Sequence, residues 1–134
     1  MKFTRPRFSV LILGLLVLAS SVLAHHGTNI SYDHNKPTTL NGTVTEFVWS
    51  NPHCQLYFDV KDASGKVTNW AGELNSPSVL GRQGWTKRQF KAGDQIKITV
   101  FPSKAGTPVG VVDRTHAILA NGKEVVAAVD RNVD

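Results

Sequence analysis

Residues 67–85, VTNWAGELNSPSVLGRQGW, contain the change of period on which the fold turns. Val67 to Leu74 alternates as a strand, with Trp70 and Leu74 on one face and Asn69, Ala71 and Glu73 on the other. At Ser76-Pro77 the alternation stops. Ser is a favoured helix N-cap, and Pro suits the first helical position, where an N–H would have no intrahelical partner. Val79, Leu80 and Gln83 then continue one or two turns of helix, and Gly84 is a plausible stop.

Upstream of this switch the chain reads as two more strands. Thr39 to Trp49 is rich in β-branched and aromatic residues, and Asn51-Pro52 ends it, because Pro offers no ladder donor. His53 to Val60 alternates cleanly, with Cys54, Leu56, Phe58 and Val60 on one face and His53, Gln55, Tyr57 and Asp59 on the other. Lys61 to Lys66 is a polar hairpin loop with Gly65 for a positive-φ position. Downstream, Lys91-Ala92-Gly93-Asp94 is a tight turn into a fourth strand, Gln95 to Phe101. A fifth is expected over Val109 to Leu119, followed by an Asn121-Gly122 hairpin turn into a ribbon, Lys123 to Val129.

Three strands, a short helix and then further strands is the order of an OB-like Greek-key barrel, an all-β fold with its helix between strands three and four. A β-sandwich competes, but it needs about seven strands at regular spacing.

The first 24 residues belong to another category. MKFTRPR carries Lys2, Arg5 and Arg7 without an acid, VLILGLLVLA (10–19) is apolar, and Val22 and Ala24 occupy the −3 and −1 positions of a small-residue cleavage site. These are the three parts of a secretory signal, too short and too interrupted for a permanent anchor. The expectation is a periplasmic protein cleaved after Ala24, with no stable membrane anchor thereafter. The mature chain, 25–134, is then a single domain with a flexible lead-in over 25–37.

Loss of the signal also changes the electrostatics. The whole chain is +5, whereas the mature part keeps 12 Lys and Arg against 10 Asp and Glu, a net +2. That argues against a nucleic-acid partner, which calls for a clustered basic face. The one dense basic stretch, Arg82 to Lys91, reads as a solvated connection. Cys54 is the only cysteine, so no intramolecular disulfide forms, and its place in the alternating strand makes it a buried core thiol.

No enzyme template is legible: there is no G-x-S-x-G, P-loop, H-E-x-x-H, C-x-x-C or dinucleotide fingerprint. His53 and Cys54 are neighbours on a strand and point to opposite faces, so they do not make a nucleophile and base. The chain is therefore not expected to be an enzyme. Asn41-Gly42-Thr43 matches a glycosylation sequon but reads as a turn and strand start.

The histidines carry the chemistry that remains. His25 becomes residue one after cleavage, and its α-amine, with a pKa near 7.7–8.0, can chelate a metal together with its own imidazole. A third nitrogen would complete a tetragonal all-nitrogen set, which suits Cu(II) among first-row ions. His53 is the best third ligand, with His26 or Glu73 as further candidates. Counting outward from a turn near Ser64, His53 lies 11 residues before and Glu73 9 after, so the two ends of the hairpin come close to matching. Glu73 would serve as a ligand, or as an outer-shell acceptor that fixes the His53 tautomer. His34 reads as a surface residue, and His116 as a structural residue on the fifth strand. Trp49, Trp70 and Trp85 read as core and barrel-cap residues.

With these residues assembled, the chain resembles the DUF6152 family of small exported bacterial proteins of unknown function. The resemblance rests on AHHG (24–27), YDHNKPTTLNGTVTEFVWSNPH (32–53), GKVTNWAGELNSPSVLGRQGW (65–85) and FKAGDQIKI (90–98). Within them, W-x-N-P-H (49–53) and E-L-x-S-P (73–77) are the most specific. His25, His26, Asn51, His53, Glu73, Arg82 and Trp85 fall on motif positions, whereas His34 and His116 do not clearly do so. The resemblance implies no activity of its own. Two functions remain: a metal-binding protein, with copper as cofactor, or a binding module. The module would grip a peptide, glycan or periplasmic protein partner through Trp49, Asn51, Arg82 and Trp85.

Overall fold

In the computed structural model, which describes residues 31–129, the β-branched and alternating stretches form seven strands and the Ser76-Pro77 signal starts a short helix. The order is β1 (Thr38–Val48), β2 (Gln55–Lys61), β3 (Val67–Glu73), α1 (Pro77–Arg82), β4 (Gln95–Pro102), β5 (Val109–Val112), β6 (Ile118–Ala120) and β7 (Lys123–Val126).

β1 serves two neighbours. Thr38 to Thr43 pairs antiparallel with Val100 to Gln95 of β4, and Thr43 to Val48 pairs antiparallel with Asp59 to Gln55 of β2. A register shift between Val44 and Glu46 marks the bend, as a bulge does in a strand that must curve. β3 runs antiparallel to β2 and parallel to β5, and β5 runs antiparallel to β4. The circuit β1-β2-β3-β5-β4 thus returns to β1, a closed five-stranded OB-like barrel with α1 between β3 and β4. The β6–β7 hairpin extends the sheet from β4. One continuous closed sheet excludes the sandwich.

The interior is filled by the alternating residues. Cys54, Leu56 and Phe58 are fully buried, joined by Val44, Ile96, Ile98, Val100, Val112 and Ile118. Leu80, the only buried residue of α1, packs into the same cluster with Trp85 and Phe90. Burying one such side chain contributes roughly 1.5–3 kcal/mol. The barrel wall leaves no room at Gly110, where an added Cβ would lie 2.9 Å from the Phe101 carbonyl oxygen and from Val100.

Turn chemistry follows composition. Gly65 has φ +88°, and Asp62 Oδ1 accepts from the backbone N–H of Ser64 and of Lys66. Asn121 and Gly122 both adopt positive φ, as a two-residue turn that matches strand twist requires. Asp94 Oδ2 accepts from the Lys91 N–H, closing the turn before β4.

Two expectations need correction. The single strand over Val109–Leu119 is two strands, β5 and β6, separated by a turn at 113–117. Asp113 makes that turn by accepting from the Thr115 N–H and hydroxyl, so His116 lies in the turn, not on a strand. Ser76 holds the N-cap position with extended geometry but makes no side-chain cap; its hydroxyl pairs with that of Ser78.

Candidate functional site

His53 stands two residues before β2, beyond the cis Asn51–Pro52 peptide, and Glu73 is the last residue of β3. The register opposes Gln55 to Glu73, so His53 is the diagonal neighbour of Glu73, two residues along and on the same outward face. The contact is made: His53 Nδ1 pairs with Glu73 Oε1. With the proton on Nδ1, the imidazole donates to the carboxylate and the Nε2 lone pair stays available, on a side chain that is 44% exposed. An outer carboxylate that fixes a histidine tautomer and raises its basicity is a common accompaniment of metal-ligating histidines.

Glu73 is also held from its other side. Tyr32 Oη donates to Oε2 at 2.6 Å, so both carboxylate oxygens are engaged. Burial, reinforced by the Glu73 carboxylate, pushes the Tyr32 hydroxyl up to about 12, so it remains a donor throughout the physiological range. Tyr32 is itself buried and forms an isolated antiparallel bridge with Ser103. The Asp33 N–H donates to the Pro102 carbonyl, and His34 packs against Phe101, the rings tilted by 44° with centroids 4.7 Å apart. The described part of the lead-in, from Ser31 on, is therefore laid against β4 and tied to the end of β3. Residue counting pointed to Glu73 but not to Tyr32, whose only signal was a lone aromatic at the head of the YDHNKP motif.

His53 and Glu73 line a cleft of about 200 Å³ with Leu74, Asn75, Val111, Val112 and Arg114. It opens where β3 and β5 part after the Glu73–Val111 register pair. Arg114 lies over the Trp85 ring at 5.2 Å, and its Nη1 donates to Gln83 Oε1 at 2.7 Å. Its Nε is buried without a hydrogen-bond partner among the described residues, and burial lowers the guanidinium pKa. Nothing in the sequence singled this arginine out.

The other candidates are dispersed. Asn51 and Arg82 are exposed, Trp49 is half-buried, and Trp85 is buried at 5% exposure. Trp49 meets Phe47 edge-on, Phe47 meets Phe90, and Phe90 meets Trp85. The two tryptophans thus end a chain of aromatic contacts running along the core, and Trp85 offers little surface to a partner. His116 Nδ1 pairs with Asp113 Oδ2 at 3.0 Å, on the turn between β5 and β6. Among the described residues, no group of three or more His, Cys, Asp or Glu side chains converges as a metal site. His25 and His26 lie outside the described residues, as do the signal segment and its cleavage site.

A family model described as "Family of unknown function (DUF6152)" matches residues 13–113. No curated protein and no solved structure matches the chain.

Proposed function

The chain belongs to the DUF6152 family, and from that premise we propose that it is an exported, periplasmic metal-binding protein, with Cu(II) as its ion. Export frees the amine of His25, whose amine and imidazole nitrogens chelate the metal. Nε2 of His53 supplies the third nitrogen, and the set suits a tetragonal copper site. The observation that carries the reading is the Tyr32–Glu73–His53 chain of contacts. It orients one imidazole and anchors the N-terminal segment beside it.

Reach is sufficient. His25 precedes Tyr32 by seven residues, and an extended chain of that length spans up to about 25 Å. Glu73 acts in this reading through His53, since both of its oxygens are committed. In this reading it is a positioning residue that holds the His53 ring. His26 remains a candidate fourth ligand. The binding-module alternative has less support, because Trp85, one of the two tryptophans of its surface, is spent on packing.

Isothermal titration with Cu(II) tests the proposal, comparing protein that begins at His25 with protein carrying one extra N-terminal residue. The extension should weaken binding about tenfold or more, some 1.4 kcal/mol. Equal affinities would eliminate the N-terminal chelate. Mass spectrometry of the protein recovered from the periplasm should give a chain that starts at His25.

A further inference from the structure

We infer that the cavity between the end of α1 and the segment after β7 binds a short aliphatic carboxylate, received by the Arg114 guanidinium. Its lining contains neither His53 nor Glu73, so the site is independent of copper and of the N-terminal chelate.

The guanidinium is placed by residues of this cavity. Gln83, Trp85 and Arg114 all line it. The group lies over the Trp85 ring at 5.2 Å, and Nη1 donates to Gln83 Oε1 at 2.7 Å. Among the described residues that is the one hydrogen bond the side chain makes, and no ion pair accompanies it. The neighbouring Asp113 is committed to Thr115 and His116. A half-buried cation without a counter-charge is costly to hold, and an anion at its remaining N–H groups offsets that cost.

The walls select the class of anion. Arg114 is the only charged side chain in the lining, so no carboxylate among the described lining residues opposes an incoming one. The facing wall, Val125 to Val129, carries only aliphatic side chains. It is tied down at both ends: Gln89 Nε2 donates to the Val125 carbonyl at 2.8 Å, and the Val129 N–H donates to the Arg114 carbonyl at 2.7 Å. Gln83 gives its oxygen to Arg114 and keeps its amide N–H groups, a second donor beside the guanidinium. Planar donors next to an aliphatic wall match a carboxylate on a short hydrocarbon chain better than a halide or a fully hydrated phosphate. A volume of about 220 Å³ admits a molecule of only a few heavy atoms.

The test uses the metal-free protein in chloride buffer, titrated with sodium butyrate at constant ionic strength and followed by NMR. The expected result is saturable shifts at the Trp85 indole N–H, the Gln83 side-chain amide and the Ala127 and Ala128 backbone amides. Half-saturation should rise about tenfold or more in Arg114→Gln. Because Arg114 packs on Trp85, Gln83→Ala provides a second variant that keeps this contact; it should weaken butyrate binding in a fold judged unchanged by the rest of its spectrum. Inorganic phosphate is titrated in parallel, and saturation by phosphate but not butyrate would overturn the carboxylate assignment. Saturation seen only in Asp130→Asn would show that the chain's own next carboxylate takes the place, overturning an external ligand. Linear shifts with both anions, shifts centred on His53, or an unchanged half-saturation in either variant would overturn the site.

Discussion

Tyr32 and Glu73, 41 residues apart, share a 2.6 Å hydrogen bond that pins the segment preceding the barrel to the end of its third strand. The phenol donates and the carboxylate accepts, so the bond is charge-assisted, a class that contributes about 1.5–3 kcal/mol. Tyr32→Phe keeps the buried ring and deletes only the hydroxyl. A loss of about 1–3 kcal/mol in urea unfolding is expected. The pH dependence has a defined sign. The folded pKa, about 12, exceeds the ordinary 10.0, so this contribution is complete below pH 10 and disappears as pH rises towards 12. Wild-type protein should therefore lose stability over that window while Tyr32→Phe loses less; parallel curves would contradict the assignment.

Glu73→Gln keeps the shape of the side chain and removes its charge. If Glu73 positions His53 for copper, Cu(II) affinity should fall by about 10–100-fold. His53→Ala should cost at least as much, and the double variant should cost little more than His53→Ala alone, because Glu73 acts through that ring. Additive losses in titration calorimetry would instead make Glu73 an independent ligand.

Asp113 anchors the turn between β5 and β6 from a buried position. Burial raises its pKa, but the Thr115 hydroxyl and N–H and the nearby His116 outweigh that and hold it below the ordinary 3.8. Its contribution is present above pH 3.8 and is lost as pH falls through the lower folded value. Acid titration followed by tryptophan fluorescence should show Asp113→Asn less stable than the parent at neutral pH, with the difference shrinking at the acid end.

Packing makes a sharper claim at Gly110. A methyl there meets the Phe101 carbonyl oxygen and the Val100 side chain at 2.9 Å, and backbone cannot swing aside. Gly110→Ala should destabilise by about 1–3 kcal/mol, the usual cost of overpacking. By contrast, Gly81→Ala has open space around its Cβ on α1 and should be neutral or slightly stabilising, since Ala is the better helix former. Thermal melts should show a clear loss for Gly110→Ala and none for Gly81→Ala.

The barrel was legible because its strands alternate and its turns use residues with few other uses. Cys54 to Phe58 had one reading, and Asn121-Gly122 nearly so. The split of the fifth strand was less visible. Val109 to Leu119 is apolar at both ends, and the break depends on one aspartate, Asp113, folding its carboxylate back onto Thr115. The site was half legible. Counting across the hairpin brought His53 and Glu73 near each other with an offset of two, and the register keeps that offset as a diagonal contact. Tyr32 and Arg114 reach the same region by routes that no local pattern encodes. One arrives through a bridge to Ser103, the other through a turn packed over Trp85.

The double pairing of β1 has a consequence for the order in which the chain can be completed. Thr38 pairs with Val100, some sixty positions later, while the other half of the same strand is satisfied by its immediate hairpin partner. A chain delivered N-terminus first can assemble β1, β2 and β3 as a local meander, yet the leading half of β1 keeps one row of backbone groups unpaired until β4 follows. Such exposed edges invite pairing with other chains. Closure waits on a non-local contact, which is slow. Any truncation that ends before Pro102 would leave a strip of sheet with a live border in place of a smaller barrel.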